Sequence, residues 1–350
     1  MFPATTPSRS DSFLQAWRAG QALFTLHTSG STGTPKPITL TRAQMEASAR
    51  LTGQTFGLAP GDRALVCLNT DYIAGVMMLV RGEVLGLDLT VVEPTSNPLA
   101  LFNPATTRFA FAAFVPLQLQ TMLADTDSGG RPLSLPILNG MKAMLVGGAP
   151  TSPALENALQ VIEAPVYSTY GMTETVSHVA IRRLNGPDRN DLFTVLSGVS
   201  VGTDERGCLH ITAAATNHER VQTNDVVEVL DDGGGVRFRL LGRADSIINT
   251  GGVKVQPELV EAVIQRQLAD WDLAPRLFVA GLPDERLGQR VVVFCEGTTL
   301  TDDQWRQVQQ RVKTATGPYA VPKAWHVVET FAETATGKID RRATVAGYVR

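Results

Sequence analysis

RALVCLNTDYIAGVMMLVRGEVLGLDLTVV, residues 63–92, is the stretch that decides the fold. Arg63 to Leu68 reads as a short apolar strand, Ile73 to Leu85 as a helix apolar on nearly every face, and Leu89 to Val92 as a second strand. Strands alternating with helices at this spacing build a layered α/β sheet. The pattern repeats downstream. Arg108 to Val115 is a further strand, Pro116 stands where it can open a helix through Leu123, and Met141 to Val146 is a strand ending at Gly147-Gly148. Ligands on such sheets sit beyond the carboxyl ends of the strands, where the glycine-rich segments of this chain fall.

Past Ser197 the texture changes. Cys208 to Thr212, Asp225 to Leu230 and Val236 to Leu241 are short strands joined by turns such as Asp231-Asp232-Gly233-Gly234-Gly235, the pattern of an antiparallel meander. From about Ser246 come a helix over Pro257–Leu268, strands over Leu277–Ala280 and Val291–Cys295, a helix over Thr301–Ala315 and a last strand over Trp325–Glu329. The sequence therefore predicts an α/β protein. A large layered α/β domain over residues 1–244, with a small antiparallel β-subdomain at about 197–241, precedes a small α+β C-terminal domain over 245–350.

Composition narrows the function. The 350 residues are 43 % hydrophobic and 19 % charged, with a net charge of −3, so no basic excess points to nucleic acid or an anionic membrane surface. Apolar stretches such as Ile73 to Val80 are too short to span a bilayer, so no membrane insertion is expected. No charged region followed by an apolar core marks a secretory signal at the N-terminus. Cys67, Cys208 and Cys295 are widely spaced within strand-like runs, which fits buried thiols in a reducing cytoplasm and not a zinc site or disulfide framework.

Several segments carry chemistry. Thr28-Ser29-Gly30-Ser31-Thr32-Gly33-Thr34-Pro35-Lys36 follows the apolar run Ala22–Leu26. Its glycines allow positive φ and close backbone approach, its successive N–H groups form a concavity for anions, and its hydroxyls add donors. A solvated polar loop is the alternative for that stretch alone, and it is not a Walker A loop, since no Ser or Thr follows Lys36. Tyr167 to Thr175 (YSTYGMTET) places aromatics, hydroxyls and one carboxylate around a glycine. Thr223-Asn224-Asp225, Leu241-Gly242-Arg243-Ala244-Asp245, Ile247 to Gly252 and Thr336-Gly337-Lys338-Ile339-Asp340-Arg341 follow in that order.

Taken together, from about Thr25 to Arg341, these motifs resemble those of the adenylate-forming, AMP-binding superfamily of acyl- and aryl-CoA synthetases, luciferases and peptide-synthetase adenylation domains. The resemblance implies ATP, Mg²⁺ and coenzyme A as cofactors and a small carboxylic acid as substrate. Bringing a carboxylate against a phosphate requires cations and oriented N–H groups in a dry site. On this resemblance Thr28 to Gly33 and Lys36 hold the β- and γ-phosphates, Tyr170 beside Gly171 stacks on adenine, and Thr173 donates to the α-phosphate. Glu174 holds Mg²⁺, a hard cation suited to carboxylate and phosphate oxygens. Asp225 accepts the two ribose hydroxyls, Arg243 reaches ribose or phosphate, and Lys338 bridges the acid and the α-phosphate. Asp245 is the hinge about which the small domain turns, and Gly251, Gly252 and Lys254 face the CoA tunnel.

Among superfamily members the chain looks most like the o-succinylbenzoate–CoA ligases of menaquinone synthesis, through Val115–Gln120, Leu145–Ala149 and Tyr170–Thr175. That likeness sets Gly148 and Ala149 at the nucleotide, Gly147 and Ala74 at the acid, and Arg81 at the acid's second carboxylate. Arg81 is the only cation between Ile73 and Leu87, and a paired arginine holding its helix is the competing reading. Four departures from the pattern stand out. Asn224 replaces a glycine, Ala335 a proline, and Tyr72 and Ala74 a histidine and a serine; fewer than 30 residues precede Thr28, where a long subdomain is usual. A second subunit is one way to replace that subdomain, so a homodimer is among the expectations. Another aryl or fatty acid, or a silent nucleotide-binding homologue, remain the other functional readings.

Overall fold

The computed structural model describes residues 8–27, 36–231, 233–334 and 338–348. Its centre is one eleven-stranded sheet, ordered Ser200–Thr203, Cys208–Thr212, Val221–Asp231, Val236–Arg243, Phe193–Val195, His178–Arg183, Val166–Gly171, Ala143–Val146, Phe111–Phe114, Arg63–Val66 and Asp88–Val91. The last five strands of that order pair parallel and all the others antiparallel.

Period-two alternation explains why the parallel strands read as unbroken apolar runs. Leu65, Ala112, Phe114, Met144 and Val146 face one buried cluster with Leu119, Met122 and Leu138, while Ala64, Val66, Phe111, Ala113 and Leu145 face another with Met78 and Leu79. The Ile73–Leu85 helix is buried without interruption from Gly75 to Gly82, as its sequence predicts. Cys67, Cys208 and Cys295 are buried free thiols, and burial pushes Cys67 up to about 12 and Cys295 up to about 11.

Elements outside the predicted set frame the site. Leu23–His27 and Pro37–Thr41 form an antiparallel hairpin with His27 opposite Pro37. Thr41 caps the following Arg42–Phe56 helix, accepting from the Gln44 amide while the Gln44 side chain accepts from the Thr41 amide. The Arg9–Arg18 helix covers this layer. Its Trp17 packs on Phe24, the Arg42 guanidinium lies 3.9 Å over the Trp17 ring, and Arg18 pairs with Glu83 at 2.6 Å.

The antiparallel meander is not detached from the parallel strands. It continues the same sheet through His178–Arg183 and Phe193–Val195, and the sheet curls. Four strand steps separate Val166–Gly171 from Val221–Asp231, about 19 Å in a flat sheet. Yet Tyr170 of the first strand hydrogen-bonds Asp225 of the second, over a buried cluster that joins Tyr170 to Leu209, Ile211, Val227 and Phe238.

Beyond Ser246 a second sheet runs Val253–Val255, Ile248–Thr250, Gly288–Glu296 and Leu277–Asp284, with Trp325–Val328 pairing parallel to Gly288–Glu296. One face packs on the Pro257–Ala269 and Asp302–Thr316 helices through Val260, Ile264, Val308 and Val312. Phe278, Phe294 and Phe331 fill the other. Among the described residues no helix is long and apolar enough to cross a membrane.

Candidate functional site

The turn between the last parallel strand and the first antiparallel one, Met172 to Ser177, sits at the carboxyl end of the parallel strands beside the Gly147–Thr151 segment. Gly171 makes the turn possible. A Cβ there would lie 2.2 Å from the Ser177 carbonyl oxygen and 2.7 Å from His178 Cα. Thr175 Oγ1 then ties the turn, accepting from the Met172 amide at 3.0 Å and lying 2.9 Å from the Ser177 carbonyl. Val176 is held at φ 65°, an unfavourable setting for a β-branched residue, with its side chain buried against Val76, Met77 and Val80. The turn presents Glu174 to solvent and leaves Thr173 nearly buried; neither side chain has a hydrogen bond or ion pair among the described residues.

Tyr170 is 7 % exposed, its ring edge-on to Phe193 and Phe238. The ring expected to stack on adenine is therefore part of a packed cluster, and its hydroxyl donates to Asp225 Oδ2 at 2.6 Å. Burial and the Asp225 carboxylate raise the phenol above its ordinary range, so it stays a donor. The Asp225 amide donates to Thr223 Oγ1 at 3.0 Å, and Asn224 turns its side chain to Arg206 at 3.3 Å. Arg243 lies across the strand pair from Asp225, with Nη1 3.4 Å from Oδ1. Its other donors clamp Asp245 at 2.9 and 2.8 Å, which holds the Asp245 carboxyl below the usual range. Asp225, Arg243 and Asp245 are thus one connected group.

Arg81 lies on the buried face of its helix, 2 % exposed, while Ala74 one helical face-repeat earlier is exposed. Its Nε donates to Thr52 Oγ1 at 3.1 Å and Nη2 to Ser177 Oγ at 2.8 Å; Nη1 meets only the Met78 sulfur at 3.6 Å. No carboxylate pairs with it among the described residues. Burial lowers the guanidinium to about 10, so it remains charged at neutral pH. Ser177 Oγ also lies 3.3 Å from Nδ1 of His178, whose Nε2 is buried without a partner. Burial first, then the Arg81 charge, lower His178 to about 3. Thr52, Ser177 and His178 were not expected from the motifs. Only the position of Ser177-His178 directly after YGMTETV marks them in the sequence.

Gly147 and Gly148 follow the Ala143–Val146 strand. A Cβ on Gly147 would come 2.7 Å from Thr169 Oγ1, so this loop lies against the Val166–Gly171 strand, with Ala149 exposed at its tip. Lys36 begins the second hairpin strand's approach, while Thr28, Ser29, Gly30, Ser31, Thr32 and Gly33 lie outside the described residues, as do Ala335, Thr336 and Gly337. Gly251 and Gly252, at φ 57° and 81°, make the tight turn between Ile248–Thr250 and Val253–Val255, with Lys254 exposed beside it. Lys338 is half-buried, which lowers its pKa, and its amide donates to Thr334 Oγ1 at 3.2 Å. No interaction among the described residues joins it to Thr173, Glu174 or Asp225, so the structure gathers the large-domain groups and leaves Lys338 apart.

This architecture is that of adenylate-forming enzymes. It is shared by o-succinylbenzoate–coenzyme A synthetase from Bacillus subtilis in complex with ATP and magnesium, at a TM-score of 0.74 and 20 % identity over 92 % of this chain and 69 % of that one. The chain belongs to the AMP-binding enzyme family, whose model matches residues 4–202, and the AMP-binding enzyme C-terminal domain matches 275–338. It is 43 % identical to an acyl-CoA synthetase (AMP-forming)/AMP-acid ligase II-like protein from Dyadobacter fermentans, covering 98 % of this chain and 96 % of that chain at a TM-score of 0.62. It is 30 % identical to a probable 2-succinylbenzoate–CoA ligase from Mycobacterium tuberculosis over 98 % of this chain and 90 % of the relative. Identity to the 2-succinylbenzoate–CoA ligase of Listeria monocytogenes is 24 %, over 97 % and 73 %.

Proposed function

We propose that the protein couples a dicarboxylic acid to AMP and then to coenzyme A, with 2-succinylbenzoate as the leading acid. One carboxylate of the acid attacks the α-phosphorus of ATP, the bond to pyrophosphate breaks, and the thiol of coenzyme A later displaces AMP from the acyl carbon. The observation that carries this reading is Arg81, a buried guanidinium with two hydroxyls, a thioether and no carboxylate around it. A buried cation without an anion is costly, by several kcal/mol. The Nη1 edge, facing only sulfur, is the edge that a substrate carboxylate completes. The names borne by the relatives from Mycobacterium and Listeria support the same acid.

The remaining groups fit the chemistry. In this reading Asp225 takes the ribose, Thr173 the α-phosphate, Gly148, Ala149 and Gly171 the rest of the nucleotide, and Thr28 to Lys36 the β- and γ-phosphates. Glu174, an exposed carboxylate with no partner among the described residues, fits Mg²⁺, which binds through one or two carboxylates together with phosphate oxygens. Bound there, the ion would neutralise phosphate charge. Lys338 reaches the acid and α-phosphate after the small domain turns about Asp245, and Gly251, Gly252 and Lys254 then line the thiol's path.

The test is acid-dependent exchange of labelled pyrophosphate into ATP across a panel of mono- and dicarboxylates, with thioesters read by mass spectrometry. The expected result is exchange and thioester with 2-succinylbenzoate and little with benzoate. Exchange confined to monocarboxylates removes the role given to Arg81. ATP binding without exchange for any acid favours a silent nucleotide binder instead.

A further inference from the structure

We infer that Tyr170 is a positioning residue for ribose recognition, acting through Asp225 as well as through its ring. The inference deepens the proposed function and rests on it. An ionised carboxylate has about four acceptor positions, two on each oxygen. In this site one is taken on each: Tyr170 Oη donates to Oδ2 at 2.6 Å and Arg243 Nη1 approaches Oδ1 at 3.4 Å. One position on each oxygen is left, the number that a cis-diol needs. The partners therefore fix the carboxylate plane and leave it half open.

Three features make the phenol a fixed donor. Its ring is wedged edge-on against Phe193 at 5.8 Å and Phe238 at 5.1 Å, so the hydroxyl cannot swing away. Its burial raises its pKa and keeps the proton on oxygen. Asp225 is anchored from behind by its amide on Thr223 Oγ1 and by strand pairing with Arg243. The contact bridges residues 55 apart in sequence, and it exists only because the antiparallel arm curls back on the parallel strands. Asn224, where the family pattern has glycine, accepts from Arg206 and makes no side-chain contact with the Asp225 carboxylate among the described hydrogen bonds.

Tyr170→Phe separates the two tasks, because it keeps the ring and removes the hydrogen bond. Calorimetric titration of the full chain with ATP, 2′-deoxy-ATP and inosine triphosphate reads them apart. The variant is expected to bind ATP about five- to tenfold more weakly, the size of one net hydrogen bond. Its preference for ATP over 2′-deoxy-ATP should shrink toward that of Asp225→Asn, while its preference for ATP over inosine triphosphate stays as in the wild type. Adding Tyr170→Phe to Asp225→Asn should change ribose discrimination no further. A variant that keeps the full penalty for 2′-deoxy-ATP overturns the inference, as does one that alters base discrimination alone. If the wild-type chain binds no ATP, the proposed function itself falls; if it binds ATP and the ribose preference ignores Tyr170, only this role does.

Discussion

Arg81, Ser177 and His178 form a relay in which each group decides the state of the next. Arg81 donates to the serine oxygen, which lies 3.3 Å from His178 Nδ1, and burial together with the Arg81 charge keeps the imidazole neutral. The consequence is a signed pH dependence. A histidine whose folded pKa is near 3 against an ordinary value near 6.5 binds its proton in the unfolded chain first. Stability is then undiminished above pH 6.5 and falls as the pH drops from there toward 3, by at most about 1.4 kcal/mol per pH unit from this group. Urea unfolding midpoints across pH 4 to 7 should fall less steeply for His178→Gln than for the wild type, and parallel curves would remove His178 as the cause. Arg81→Met tests the cation. Swapping a buried unpaired charge for an apolar chain of similar length should leave stability equal or higher. It should also raise KM for 2-succinylbenzoate roughly a hundredfold, the loss of a bidentate charge-assisted contact, and leave any monocarboxylate turnover unchanged. Arg81 was legible as a lone cation in an apolar run, whereas Thr52 and Ser177, 29 and 96 residues away, were not. Local pattern carries no information about such partners.

The signature turn and the helices behind it mark how far local pattern does reach. Ile73–Leu85, Pro257–Ala269 and the Cys208–Thr212 strand sit within a residue or two of where apolar runs and Pro or Gly boundaries put them. The Arg42–Phe56 helix was missed, although Thr41 and Gln44 spell a capping box, because Met45 is the one large apolar residue on a buried face otherwise built of Gln44, Ser48, Ala49, Thr52 and Gly53. The meander was read as a small β-subdomain of the large domain, but its place in the order of the large sheet was not legible, because pairing between distant strands leaves no trace in a window of ten residues. Gly171 is where an element-scale prediction is sharpest. A methyl there meets the Ser177 backbone at 2.2 Å, and no side-chain rotation relieves a backbone clash. Gly171→Ala should destabilise the chain by about 2–4 kcal/mol and abolish pyrophosphate exchange by displacing Thr173 and Glu174. Gly347→Ala, with nothing within 4 Å of its Cβ, should do neither. Equal thermal denaturation of the two variants would show that the turn tolerates the displacement.

At the scale of the molecule, the chain beyond Ser246 meets the large sheet through polar contacts around Gly242 to Ser246 and through the Pro153–Ala158 helix lying against the Pro257–Ala269 helix. Gly242 is the penultimate residue of the Val236–Arg243 strand, and the Glu258 carboxylate packs so closely on its bare Cα that a Cβ would lie 2.4 Å from Oε2. Ser246 donates to the other Glu258 oxygen at 2.8 Å, and Arg243 spans from Asp225 to Asp245. In this arrangement Lys338 contacts neither Thr173 nor Glu174 among the described residues, so the lysine is delivered by rotation or not used. Those alternatives predict different kinetics. If rotation delivers it, Lys338→Ala should abolish pyrophosphate exchange while ATP binding persists and while a supplied acyl-adenylate is still converted to thioester. Asp245→Ala should show the opposite bias, because it removes the carboxylate proposed as the hinge and leaves Thr173, Glu174 and Lys338 in place. Thioester formation from the adenylate should then slow by at least tenfold, with pyrophosphate exchange less affected. Single-turnover measurements of each half-reaction decide it: equal loss in both steps for Asp245→Ala, or exchange surviving in Lys338→Ala, would mean that one fixed arrangement of the two domains serves the whole reaction.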